Sequence, residues 1–304
     1  MKQQTQAYLL ALLAVLFWST IATAFKITLR HIGIELLRFY ATITSAIIVT
    51  AILLYRSKLL STFRINSRQV LHSAFLGFLN PFLYYLVLLK AYDLLRAQEA
   101  GTLNYIWPLV MTLLSIPILK QKISWKSVVA IFISFIGLMT ISTRGRIMSL
   151  DFSDPFGVAL AIGSAFIWGF YWIYNVKDNR DTLQKLLMNF LFGMVYITIY
   201  LAIKGISFVP PEKGLLGSVY LGTFELGITF VIWLNALSKS ETTAKVSQLI
   251  YLSPFISLFF IQFVAGEKII TPTIIGLVLI ITGIFLQQYF EREKKMKSQR
   301  GQGS

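Results

Sequence analysis

What most constrains this chain is a succession of ten apolar runs, at residues 7–25, 33–55, 70–91, 97–119, 124–143, 156–176, 183–203, 215–237, 243–265 and 272–290. Each is about as long as a helix must be to cross roughly 30 Å of hydrocarbon. Backbone amides find no water there, so runs of this kind cross as helices that satisfy their own hydrogen bonds. Polar or turn-forming breaks separate the runs, among them Arg56 to Arg68, Arg144 to Pro155 and Pro210 to Gly214. The chain therefore reads as an all-α polytopic membrane protein with ten transmembrane helices. Composition agrees: 13% of residues are charged, against about 25% in soluble domains. No small-residue cleavage site clearly follows the first run, which is read as a retained helix.

The net charge of +15 raises nucleic acid as a partner. The basic residues, however, sit in short gaps and in the tail, and no basic stripe is interleaved with aromatics as a nucleic-acid groove requires. The chain has no cysteine and only two histidines, His31 and His72, so a thiolate metal site is excluded and no metal or cofactor is expected. With the N-terminus inside, 18 of the 28 basic residues collect on that side. They include Arg56, Lys58, Arg64, Arg68, Lys120, Lys122, Lys126, Lys177, Arg180, Lys185 and the tail from Arg292 to Arg300. The positive-inside rule then places both termini in the cytoplasm of a multi-pass protein of the cytoplasmic membrane.

The chain also repeats itself. LGFLNPFLYYLVLLKA at Leu76 to Ala91 aligns with LGTFELGITFVIWLNA at Leu221 to Ala236, an offset of 145 residues. YIWP at Tyr105 to Pro108 aligns with YLSP at Tyr251 to Pro254, and VLFWS around Trp18 aligns with AFIWG around Trp168. Each repeat holds five spans, an odd number, so the second copy enters the membrane inverted relative to the first. Inverted repeats are built into many secondary transporters, which bind substrate near the midplane where the repeats meet. The expected divisions are a first repeat at 1–143, a linker at 144–155, a second repeat at 156–290 and a basic tail at 291–304.

Several local patterns resemble the EamA family of the drug/metabolite transporter superfamily. They are Phe17-Trp18-Ser19 and Ile167-Trp168-Gly169, Arg38 in the second span, the two Tyr-x-x-Pro signatures, Gly266-Glu267, and Gly276 to Gly283 in the last span. The resemblance runs from about residue 7 to 290 and departs at Gln121, usually glutamate, and Ala130, usually glycine. It implies ten helices, cytoplasmic termini, and export or uptake of small metabolites such as amino acids and amines.

Glu225 is the leading candidate for chemistry. It lies near mid-bilayer in the run from Leu215 to Lys239, where a carboxylate is costly and usually has a partner or a task. It is expected to meet a substrate ammonium or a coupling proton. Its repeat-mate Asn80 precedes Pro81, which breaks the helix ladder and frees carbonyls to line a cavity. Asn104 is expected to add hydrogen bonds. Trp18, Trp168, Trp172, Tyr84, Tyr105 and Tyr251 are candidates for a pocket that holds an ammonium or an aromatic ring. Lys90, Arg38 and Glu99 near the span ends are candidates for a gate or for coupling, with Arg38 spaced to pair with Glu35.

Enzyme signatures are missing: there is no HExxH, GxSxG or Walker loop in the chain. The expectation is a secondary transporter, not an enzyme, working by alternating access on a small amino acid or amine, with efflux slightly favoured. Its partners would be that solute, membrane lipid and, if transport is coupled, protons. A carrier of lipid head groups or isoprenoid lipids is the competing expectation.

Overall fold

The computed structural model describes residues 2–95, 97–146, 154–256 and 271–300, excluding the side chains at 22, 26, 97–99, 292 and 294–300. The described residues are almost entirely helical, and nine helical stretches are long and apolar enough to span a membrane. The first two spans are single helices, α1 (Gln3–Thr28) and α2 (Ile34–Tyr55). A one-turn α3 (Leu59–Thr62) follows. The third span is α4 (Ser67–Gly77) and α5 (Tyr84–Leu94), joined by a wide helical turn at Phe78–Leu83. The fourth is α6 (Ala97–Asn104) and α7 (Trp107–Leu119), and the fifth is α8 (Trp125–Ser142).

The second half repeats this order. α9 (Pro155–Lys177) and α10 (Thr182–Ile203) are unbroken. α11 (Glu212–Leu221) and α12 (Ile228–Lys239) flank a second wide turn, Gly222–Gly227. α13 (Thr243–Ser247) tightens at Gln248–Tyr251 and the chain stays helical to residue 256. The rest of the predicted ninth span lies outside the described residues. α14 (Thr271–Arg300) carries the last span and runs straight on into the basic tail.

Local sequence explains the starts and breaks. The Asn66 side chain caps α4 through Gln69, and Asp154 Oδ1 accepts the Gly157 N–H at 2.8 Å to start α9 at Pro155. In the first wide turn Asn80 takes an extended backbone (φ −154°, ψ 126°) ahead of Pro81, which has no N–H to continue the ladder. In the second, the Thr229 hydroxyl donates to the Phe224 carbonyl five residues back, bridging the widened turn.

Lipid tails are as apolar as leucine, so the helices associate through close packing. Leu9, Leu12, Leu16, Ile47, Leu54, Ile199, Ile274, Val278 and Phe285 are exposed, facing outward where lipid would be. Glycines sit where spans press together. A Cβ on Gly137 would lie 2.6 Å from the Gly276 carbonyl, which holds α8 against α14. The halves are related at a finer level by two matching contacts. A Cβ on Gly77 would lie 2.6 Å from the Asn189 carbonyl of α10, and one on Gly222 would lie 2.5 Å from the Ala41 carbonyl of α2. Each wide turn thus packs against the second span of the other half. Gln121 also crosses between the halves: its Oε1 accepts from the Thr243 N–H and hydroxyl at 3.0 and 3.1 Å, so glutamine here anchors the start of α13.

Successive spans alternate in direction, which puts the starts of α1, α4, α8 and α10 on one face, here termed the N-side. Gln4 bonds Ser240 and Glu241 there, and Lys58 meets Asp181 at 3.4 Å.

Candidate functional site

A cavity of about 630 Å³ opens from mid-depth toward the face opposite the N-side. Six elements form most of its wall, and Ile250 from the tight turn after α13 completes it. α1 brings Trp18, Ile21 and Phe25, α2 brings Arg38, α5 brings Tyr84, Tyr85 and Tyr92, the α6–α7 break brings Asn104, Tyr105 and Trp107, α9 brings Trp168, and the second wide turn brings Glu225. An inserted residue in a helical turn redirects the side chains around it. Here Gly222 seats the turn against α2 and Glu225 faces Arg38 across that contact.

The charged centre has three members. Arg38 Nη2 lies 3.8 Å from Glu225 Oε1, and the same oxygen accepts the Tyr85 hydroxyl at 2.7 Å. The guanidinium also lies over the Tyr85 ring. Arg38 is 5% exposed and Glu225 7%, so both charges are largely withdrawn from solvent and each depends on the other. Neither is fully used: Arg38 Nε and Nη1 and Glu225 Oε2 have no hydrogen-bond partner. Beside them Asn104 accepts the Tyr84 hydroxyl at 3.2 Å and donates to Ser164 Oγ at 2.9 Å. The remaining wall is aromatic. Tyr84 and Trp168 rings are 4.4 Å apart, and Trp107 stands edge-on to Trp168 at 6.4 Å.

Below the cavity the molecule is shut. Trp172, Trp233, Tyr171, Phe190 and Phe230 are fully buried, with Trp172 and Phe230 rings 4.9 Å apart. Nearer the N-side a polar clasp ties α4 to the α9–α10 loop. Arg180 Nη2 donates to Asp178 Oδ2 at 2.6 Å and to Ser73 Oγ at 2.8 Å, and His72 Nδ1 lies 3.3 Å from Asp178. Burial works against the Asp178 carboxylate. Hydrogen bonds from His72 and Arg180, together with the guanidinium charge, outweigh it and hold the carboxyl well below its usual range.

Six of the residues singled out from sequence for substrate binding meet at this cavity: Glu225, Trp18, Trp168, Tyr84, Tyr105 and Asn104. Three do not line it. Asn80 is turned from the cavity by the extended backbone of its own turn, Trp172 belongs to the aromatic seal, and Tyr251 packs beside Phe135 at 6.4 Å. Of the gate candidates, Lys90 is exposed and pairs with Asp93 at 3.8 Å, and the Glu99 side chain lies outside the described residues. Arg38 does not pair with Glu35; burial turns it to Glu225, the counter-charge at its own depth. Tyr85, Tyr92, Trp107 and Phe25 were not anticipated at the site. Tyr85 had one signal in the sequence, since a buried mid-span carboxylate needs donors on a facing helix.

Among known proteins, the model of the EamA-like transporter family matches residues 5–143 and again residues 155–287. An uncharacterized transporter of Archaeoglobus fulgidus is 23% identical over 290 residues, 93% of this chain and 97% of that protein. The aromatic amino acid exporter YddG of Salmonella typhimurium is 24% identical over 180 residues, 53% of this chain and 57% of that protein. One crystal structure superimposes with a TM-score of 0.80 at 21% identity, covering 94% of this chain and 98% of the other, which shows the shared fold. The two matched segments coincide with the two halves that pack their wide turns into each other, and this chain belongs to the EamA-like transporter family.

Proposed function

We propose that this chain is a secondary transporter that moves an amino acid by alternating access, with an aromatic or large apolar side chain as its preferred cargo. Export is the favoured direction, across a cytoplasmic membrane with both termini in the cytoplasm. One observation carries the reading: a mid-depth cavity presents a guanidinium and a carboxylate with unused bonding atoms beside a wall of aromatic rings. An amino acid is the small solute with matching ends. Its carboxylate suits Arg38, its ammonium suits Glu225, and its side chain suits the space between Trp18, Trp107 and Trp168. An amine without a carboxylate leaves Arg38 unmatched. The Salmonella relative named for export of aromatic amino acids supports the cargo and the direction. The excess of basic residues on the N-side supports the orientation. With that side in the cytoplasm, the cavity faces outward and the aromatic seal and clasp close the cytoplasmic half.

The test is uptake by proteoliposomes of radiolabelled phenylalanine, other amino acids and phenethylamine, with and without a pH gradient. Saturable phenylalanine flux exceeding that of the amine, and lost in Glu225→Gln, is the expected result. A response to the gradient would assign proton exchange, and indifference to it facilitated diffusion. Absence of saturable flux for every amino acid and amine, with movement of a labelled lipid instead, would overturn the reading.

A further inference from the structure

A second buried polar set lies on the N-side of the aromatic seal and takes no part in the cavity. Lys185, in the first turn of α10, is 2% exposed. Its ammonium donates to the carbonyls of Asn175 and Asp178, both at 2.7 Å. It makes no ion pair among the described residues, because the Asp178 carboxylate is taken by Arg180 and His72. A buried cation held only by carbonyls still has a donor to spare. One turn further along α10, Asn189 donates to Asn175 Oδ1 at 3.0 Å while its own Oδ1 is unpaired. The Tyr171 hydroxyl lies beside the amides of Asn189, Asn80 and Asn175 without a well-formed hydrogen bond to any of them. Both amide atoms of Asn80 are likewise unpaired. Asn80, Tyr171 and Asn189 are all fully buried, and orphaned polar groups of this kind are costly in a closed core.

The pseudo-symmetry supplies their counterpart. α10 packs on the first wide turn at Gly77 as α2 packs on the second at Gly222. Arg38 is the fifth residue of α2 and Lys185 the fourth of α10. Asn80 and Glu225 stand at matching places in the two turns. One set lines the open cavity; its mate is shut beneath Trp172 and Phe230. Under the alternating access proposed above, exchange of conformation between the halves would make the mate the exposed set.

We propose that Lys185, with Tyr171, Asn189 and Asn80, forms an inner subsite that receives the substrate's carboxylate from the N-side before it passes to Arg38. The spare donors are the third N–H of Lys185, the Tyr171 hydroxyl and the Asn80 amide, and the nearby Asp178 carboxylate is engaged by Arg180 and His72, which leaves a site that suits an anionic group. The proposal rests on the amino acid reading above.

The test uses the full chain in proteoliposomes of fixed orientation, with phenylalanine presented to one face at a time. Lys185→Met raises the half-saturation concentration at the N-side by about tenfold, the effect of losing one charge-assisted hydrogen bond, and leaves that of the opposite face unchanged. Lys185→Arg restores most of the N-side value. Equal changes at both faces, or none, would overturn the proposal, since a purely structural lysine has no reason to act on one face. The chain has no native cysteine, so N189C and N80C can be probed separately with a membrane-impermeant methanethiosulfonate. Both are expected to react from the N-side. Inertness of both thiols in protein that still transports would refute an opening there. Should the wild type carry no phenylalanine, the amino acid reading fails, while the thiol reactions still report whether this site opens.

Discussion

Glu225 and Arg38 show how far a single residue's surroundings decide its role. A lone charge at mid-membrane is expensive, and two opposite charges at one depth share the cost only while both are present. Glu225→Gln leaves the guanidinium buried without a counter-charge and is expected to destabilise the protein by about 3–5 kcal/mol. Thermal melting in detergent measures this. Adding Arg38→Met to that variant should recover much of the loss, because no unpaired charge then remains. Transport should stay absent in the double variant, which separates the pair's structural part from its part in binding. The sequence announced that Glu225 needs a partner but not which one. Glu35 is nearer to Arg38 along the helix, yet the guanidinium reaches Glu225 across an interface between the halves.

At the scale of elements, the wide turns and the glycines that seat them set the geometry. Gly77 and Gly222 each face backbone of the opposing span at 2.5–2.6 Å from a built Cβ, and backbone has little room to yield. Valine at either position should cost about 1–3 kcal/mol by overpacking and push α10 or α2 off its turn. Gly163 is the control: a Cβ there meets nothing within 4 Å, so Gly163→Ala should be tolerated and gain a few tenths of a kcal/mol to about 1 kcal/mol in helix propensity. Melting temperatures of the three variants check this together. The clasp on the N-side has its own signature. The folded state holds Asp178 below its unfolded value near 3.9, so its contribution is complete above that pH and fades as pH falls through the folded value. Asp178→Asn should therefore lower the melting temperature at pH 7, and the gap to wild type should narrow at acidic pH below about 4. A gap that holds constant with pH would remove the carboxylate from the clasp. Helix positions were legible in advance, since a run of about twenty apolar residues has few alternatives in lipid. Pro81 marked a break at the first widened turn; the second was not legible, because a single inserted residue leaves hydrophobicity unchanged.

For the molecule as a whole, the proposed alternating access requires that the N-side open while the opposite face closes. Ser61 Oγ and Gln184 Nε2 are 2.7 Å apart across the N-side closure. Cysteines at both positions, joined by a short reducible crosslinker, should stop transport, and a reductant should restore it. Flux that continues at an undiminished rate in fully crosslinked protein would mean that this seam stays shut during turnover. By itself the sequence determined the solvent, the number and order of the spans, the inverted doubling and the depth of Glu225, since apolar length and repeated motifs act along the chain. It also pointed to half of the aromatic wall, Trp18, Tyr84, Tyr105 and Trp168, with Trp18 and Trp168 marked by their equivalent places in the two repeats. Only the tertiary structure decided that Arg38 belongs to Glu225, that Trp172 is part of the seal and Asn80 lies beyond it, and that one polar set is open while its mate is closed. Those facts depend on which helix of one repeat lies against which turn of the other, a packing choice made by glycine contacts and buried charge between residues more than a hundred positions apart.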